Sequence, residues 1–219
     1  MDIKVDTQTV VVFDLDDTLY NEIDYLKSAY LEIAKEIDAD NSENLFSLMF
    51  SQYQNNIDVF AYIENTYGIS KLSLLHRYRS HFPKIKPFIG VRESLENIKK
   101  NKGKTGLISD GRSITQRNKL KALNLIELFD YIVISEEIGT EKPHENNYLA
   151  IEKQLEKTGH FYYIADNCKK DFITPNQRNW CTIGLIDNGL NIHDNSREAL
   201  LKSQFPQHFI KNFLELVIV

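Results

Sequence analysis

Val10-Val11-Val12-Phe13-Asp14-Leu15-Asp16-Asp17-Thr18 is the stretch on which the reading of this chain turns. Its first four residues are β-branched or aromatic and read as a buried strand. Two carboxylates, Asp14 and Asp16, follow two residues apart. Taken alone, the pair is also what a carboxylate-capped turn at a strand end would show. Packing does not explain it, because an isolated carboxylate in an apolar setting shifts its pKa or takes a partner. A divalent cation between paired carboxylates makes both easier to keep ionised. The spacing also supplies a nucleophile and an acid/base within one turn of chain.

Outward from this strand, runs of similar composition recur at 105–109, 131–135, 162–166 and 181–186, after the first at 10–14. Helical patterns separate the later ones. Val91, Leu95 and Ile98 share a face, as do Ile114, Arg117, Leu120 and Lys121, and then Tyr148, Ile151 and Leu155. Alternating strand and helix predicts right-handed crossovers and an α/β fold: a Rossmann-like, mostly parallel sheet with helices on both faces. Between residues 20 and 87 the alternation stops and only helical periodicity remains. Leu26, Ala29, Ile33 and Ile37 line one stripe there, Leu45, Leu48 and Met49 another, and helix-like stretches cover 59–67 and 72–79. Pro83, Pro87 and Gly90 mark the return. The expected organisation is an α/β core domain at 1–19 and 88–219, with a small inserted α-helical cap domain at 20–87.

The 219 residues, 42% hydrophobic and 26% charged, suffice for one core carrying such an insert. A net charge of −5 points to no nucleic-acid or anionic-membrane partner. The longest apolar runs, at 10–13 and 132–134, are too short to span a bilayer. The first six residues alternate with charge at Asp2, Lys4 and Asp6 and lack the apolar segment of a signal peptide. Cys168 and Cys181 form neither a disulfide framework nor a zinc pattern. A reduced, cytoplasmic setting is expected.

Ligands of an open parallel sheet bind beyond the carboxyl ends of its strands. The conspicuous polar residues fall there: Asp14 and Asp16 after the first strand, Ser109-Asp110-Gly111 at the second, Lys142 past the third, and Asp166 at the fourth, with Asp171 five residues on. The carboxylates of Asp14, Asp16, Asp166 and Asp171, the Ser109 hydroxyl and the Lys142 ammonium thus converge on one rim. The carboxylates suit an oxygen-liganded Mg²⁺, and the Ser/Lys pair suits a phosphate.

With these four motifs in order, the chain resembles the haloacid dehalogenase superfamily hydrolases, in the subgroup whose helical cap follows the first motif. The motifs are Asp14 to Leu19, Ser109, Lys142-Pro143, and Asp166 through Asp171; Gln116 to Leu120 and Phe129-Asp130-Tyr131 also resemble the pattern. The resemblance implies that Asp14 attacks phosphorus and forms an aspartyl-phosphate. Asp16 would protonate the leaving alkoxide and then take a proton from water, while its carbonyl faces the metal. Asp14, Asp16 and Asp166 would hold Mg²⁺. Ser109 and the Asp110 N–H would bind phosphoryl oxygens, and Lys142 would neutralise their charge. Thr18 supports the first motif, and Asp171 would orient Lys142 or complete the metal's outer shell. Ala165 stands where that motif usually has glycine, and Cys168 reads as incidental.

The implied activity is a Mg²⁺-dependent phosphatase acting on a small phosphorylated metabolite, a sugar phosphate, nucleotide or phospho-acid, by a monomer or homodimer. The alternatives are a phosphomutase on the same scaffold and a non-catalytic binding protein on the fold. Asp16 argues against halide displacement, and no lysine of the insert suggests Schiff-base cleavage of a phosphonate. A retired enzyme would have lost a charged motif residue, and none is missing. Lys102-Gly103-Lys104-Thr105 is no P-loop, since Ile98 replaces the upstream glycine and a strand follows. The basic, aromatic segment from His76 to His81 reads as a solvated helix face, and Tyr25, Tyr30, Tyr53, Tyr62 and Tyr67 as core of the insert.

Overall fold

Runs of β-branched residues end in one six-stranded sheet. The computed structural model describes residues 1–154, 159–193 and 200–219. In chain order it has β1 (Asp2–Ile3), β2 (Thr9–Phe13), α1 (Glu22–Ile37), α2 (Ser42–Gln54), α3 (Val59–Tyr67), α4 (Lys71–Ser80) and α5 (Val91–Lys100). There follow β3 (Lys104–Ser109), α6 (Ser113–Ala122), β4 (Tyr131–Ile134), α7 (Ser135–Ile138), α8 (Glu145–Glu152), β5 (His160–Ala165), α9 (Ile173–Gln177), β6 (Cys181–Leu185), β7 (His208–Ile210) and β8 (Val217–Ile218). The sheet order is β4-β3-β2-β5-β6-β7, every pairing parallel. β1 and β8 form a separate parallel pair.

The expected α/β architecture is present. Both faces of β2 are buried, and its side chains divide by parity as a period of two requires. Val11 and Phe13 join a cluster with Val91, Leu95 and Ile98 of α5, whereas Val10 and Val12 join Tyr148 and Ile151 of α8 and Trp180. The chain leaves β2 toward β3 and β4 on one side, then returns to β5 on the other. That reversal opens a crevice at the carboxyl end of β2.

Helices α1 to α4 fill the interval between β2 and α5 and pack around a third cluster of their own, including Leu26, Ile33, Leu45, Met49, Ile63 and Leu74. Tyr30 is buried in this cluster and Tyr53 and Tyr62 pack against it, whereas Tyr25 is buried in the first cluster, with Val11 and Phe13. Tyr67 departs from expectation: it lies at the end of α3 and is 40% exposed. No helix among the described residues is long and apolar enough to cross a membrane.

The strand registers run close to the sequence reading, but the ladders of β2, β4, β5 and β6 stop one residue early. Asp14 and Asp166 are thus the first residues beyond their strands, turned from sheet pairing toward the crevice. The expected face of α6 needs correction. Ile114 is 53% exposed and Arg117 pairs with Glu137, while Thr115, Gln116, Lys119 and Leu120 are buried. Gln116 and Lys119 turn inward because a carboxylate waits there, which an apolar periodicity does not register. Leu155, assigned to the face of α8, lies outside the described residues.

Gly184 lets β7 close the edge of the sheet. A Cβ there would stand 2.6 Å from Pro206 Cγ and within 3 Å of the Phe209 ring. Gly184→Ala is expected to destabilise the protein by about 1–3 kcal/mol, read as a lower urea midpoint at unchanged slope.

Candidate active site

The chain turns out of β2 at Asp14, whose N–H still donates to Ile164 O at 2.9 Å. The carboxylate therefore sits at the crevice between β2 and β5. Lys142 reaches it from the loop after α7, with Nζ 2.5 Å from Asp14 Oδ1 and 2.9 Å from Asp171 Oδ1. Burial alone would push this ammonium down, but Asp14 and Asp171 outweigh it and hold Lys142 well above its ordinary value. Burial drives Asp14 the other way, up to about 7, against the pull of Lys142.

Asp14, Asp166 and Asp171 each present a carboxylate oxygen within 4.8 Å of the others. Asp171 Oδ2 accepts from the Asn167 N–H at 3.0 Å, while Oδ1 is fully buried and has only its ion pair with Lys142. The Thr18 hydroxyl lies 3.3 Å from both Asp14 Oδ2 and Asp166 Oδ1, and donates its one proton to either. Asn191 donates to Asp166 Oδ2 at 2.9 Å. Three buried carboxylates thus lie within 4.8 Å of one another, and this all-oxygen donor set fits a hard divalent cation.

Ser109 closes β3, and its hydroxyl accepts from Gln116 Nε2 at 2.6 Å. Asp110 serves the loop through its side chain: Oδ1 accepts from the Lys142 N–H at 3.0 Å, and Oδ2 pairs with Lys170 Nζ at 2.8 Å. Gly111 follows at φ +130°, a value L residues avoid, and donates its N–H to Ser135 Oγ at 2.9 Å.

Asp16 is bound separately from that acidic cluster. Oδ1 accepts from the Tyr20 hydroxyl at 2.6 Å and from Lys119 Nζ at 2.7 Å, and Oδ2 accepts from Gln116 Nε2 at 2.7 Å. Burial would raise this carboxyl, yet Lys119, Tyr20 and Gln116 together hold it below the usual carboxylate range. Lys119 also lies 3.5 Å from Glu22 Oε1, and burial and Asp16 push Glu22 up to about 7. Asp17, at φ +55°, accepts the Glu22 N–H on one oxygen and the Ile192 N–H on the other.

A cavity of about 210 Å³ joins these groups. Its lining includes Asp14, Asp16, Ser109, Asp110, Lys142, Asp166 and Asp171, with Glu22, Lys170 and His193. All the residues singled out from the sequence gather here, with Thr18 bonded behind them. The segment from His76 to His81 contributes nothing to the lining. Its exposed residues fit a solvated face, but His81 is buried against Ser28 and Glu32. Cys168 is buried in the second core cluster. Sequence reading matched Gln116 to Leu120 to the family pattern without giving Gln116 or Lys119 a site role, and it did not single out Lys170 or Asn191. An available signal was two polar residues, Gln116 and Lys119, at helical i,i+3 spacing just after Ser109.

The family model described as haloacid dehalogenase-like hydrolase matches residues 11–184. The chain is 26% identical to a glyceraldehyde 3-phosphate phosphatase of Methanothermobacter thermautotrophicus, covering 95% of this chain and 94% of that one. It is 25% identical to the protein of the same name from Methanocaldococcus jannaschii, over 80% and 84% of the two chains. It shares a fold with the HAD-hydrolase YfnB from Bacillus subtilis, a structure bound to magnesium, at a TM-score of 0.65 and 16% identity over 94% of this chain and 95% of that one.

The raised Asp14, Asp17 and Glu22 give a signed pH dependence. A carboxyl whose folded pKa lies above its unfolded value favours the fold at low pH, and that contribution is lost as pH rises through the folded pKa. Asp14 and Glu22 move to about 7 and Asp17 to about 6. In EDTA, the melting temperature is expected to fall between about pH 4 and pH 7. Asp14→Asn should flatten that slope and melt above the wild type at pH 8.

Proposed function

The chain belongs to the haloacid dehalogenase-like hydrolase family, and on that footing we propose that it is a phosphatase of a small sugar phosphate, working through an aspartyl-phosphate on Asp14. The observation that carries this reading is the Asp14 carboxylate set 2.5 Å from the buried Lys142 ammonium, in a small cavity that also holds the Ser109 hydroxyl. A nucleophilic anion, a cation for the phosphoryl oxygens and a hydroxyl donor stand together there. The names of the two curated relatives favour a phosphorylated triose as substrate, and a cavity of about 210 Å³ suits a metabolite of a few carbons.

Asp14 attacks phosphorus in line with the leaving oxygen, and its O–P bond forms as the ester O–P bond breaks. Asp16, held ionised by Lys119, Tyr20 and Gln116, would take up a proton as the negative charge of the entering phosphate raises its pKa, and give it to the departing alkoxide; ionised again, it takes a proton from the water that cleaves the aspartyl-phosphate and regenerates Asp14. Lys142 and Ser109, with the Asp110 N–H, hold the phosphoryl oxygens as charge builds on them. Asp171 faces Lys142 and keeps its ammonium aimed at the site. Asp14, Asp166 and the carbonyl of Asp16 would hold Mg²⁺, with Thr18 and Asn191 orienting the carboxylates. When bound, the cation screens the carboxylates from the incoming phosphate and stabilises charge on the transferring group.

The segment from 20 to 87 serves as a cap over this cavity, and 1–19 with 88–219 as the core. Its separate hydrophobic cluster supports an insert that packs as a unit. By covering the cavity it would exclude bulk water and select the leaving group.

The test is phosphate release from a panel of phosphorylated trioses, larger sugars, nucleotides and phospho-acids, with Mg²⁺ and with EDTA. Release is expected only with Mg²⁺, fastest from trioses, and absent in Asp14→Asn. Asp16→Asn should accumulate a phosphoenzyme heavier by about 80 Da. Undiminished turnover by Asp14→Asn would remove Asp14 as the nucleophile.

A further inference from the structure

A buried lysine has no place in the scheme above. The Lys119 side chain is 3% exposed, on the inner face of α6, beneath both the acid/base and the start of α1. Its ammonium touches Asp16 Oδ1 at 2.7 Å and Glu22 Oε1 at 3.5 Å, and it stands 4.6 Å from the centre of the Tyr25 ring. A cation so deep in the protein loses its hydration, and its ion pairs seldom repay that cost as well as an apolar side chain would. Stability alone is therefore a poor reason for a lysine here.

Geometry supplies a better one. Asp16 precedes the insert directly, in a turn where rotation of its side chain would carry the carboxyl away from the leaving oxygen. Gln116 fixes Oδ2 and links it to Ser109, and Tyr20 donates to Oδ1 from four residues along the same turn, so it moves with that turn. Lys119 also holds Oδ1, and it does so from α6, an element of the sheet's own helical layer. The same ammonium reaches Glu22 in the first turn of α1, so one cation references the acid/base to both sides of the turn.

We propose that Lys119 is a positioning residue for proton transfer: its ammonium orients the Asp16 carboxyl and couples that orientation to Glu22 at the start of α1. This role rests on the phosphatase reading, with Asp16 as the acid that protonates the leaving oxygen. It is separate from charge neutralisation of phosphate, which belongs to Lys142.

Leaving-group dependence separates this role from a structural one. An alkoxide needs its proton during bond cleavage, whereas p-nitrophenolate leaves without one. The experiment compares kcat/KM of wild type and Lys119→Met on glyceraldehyde 3-phosphate, or the alkyl phosphate hydrolysed best in the panel above, and on p-nitrophenyl phosphate. The constant for the alkyl ester is expected to fall by about 100-fold or more, and that for the aryl ester by less than about tenfold. Equal losses on both esters, or no loss on either, would overturn the proposal. A wild type inactive on both would instead remove the phosphatase reading, and this role with it. If Lys119→Met does not fold, Lys119→Gln, which keeps a donor and drops the charge, is judged by the same ratio.

Discussion

One ammonium set against two buried carboxylates organises this molecule. Lys142 lies between Asp14 and Asp171 where water barely reaches, and removing its ammonium would leave two buried carboxylates without their countercharge, at a cost of about 3–5 kcal/mol. The surrounding structure answers to that constraint. β2 ends where Asp14 must face the crevice, and the loop after α7 is pinned to Asp110 through the Lys142 N–H. Asp171 is held in turn by the Asn167 N–H, on the loop that carries Asp166. Three separate strand ends are thus brought to one point by electrostatics that the apolar layers on either side cannot supply.

Two carboxyl groups only two residues apart are treated in opposite ways. Burial raises Asp14 while Lys142 opposes it, whereas three donors hold Asp16 ionised. The pair therefore never competes for one proton or one partner. Asp14 belongs to the acidic group facing Lys142, and Asp16 to a second group reaching toward α1. Separation of the two environments, more than the spacing of the residues, lets one turn of chain contain both a nucleophile and a proton carrier.

Much of this was legible in the sequence, and what was missed has a common cause. Apolar runs located β2 to β6 because a strand buried on both faces has no other composition available to it. Polar residues at the ends of those runs located Asp14, Ser109, Lys142 and Asp166, since a carboxylate or an ammonium beside a core needs a reason. β1, β7 and β8 escaped because two or three residues carry no periodicity to read. The inward turn of Gln116 and Lys119 escaped for a subtler reason. The apolar pattern of α6 was read through Ile114, which faces solvent, so the true inner face, carrying a buried cation, looked like the outer one. A rule that sends charge outward fails wherever a buried opposite charge waits.

The order of strands also bears on how the chain acquires its shape during synthesis. β2 pairs with β3 on one side, beginning at Val10 with Lys104, and with β5 on the other, beginning at Thr9 with His160. The residues separating β2 from β5 take roughly 7–30 s to translate at ordinary ribosomal rates. Throughout that interval a strand buried along its whole length in the finished fold has an edge with no partner, the situation that invites pairing with another chain. Helices α1 to α4, whose contacts are local, can assemble while it waits. The central strand, first of the sheet to be made, is among the last to be closed in.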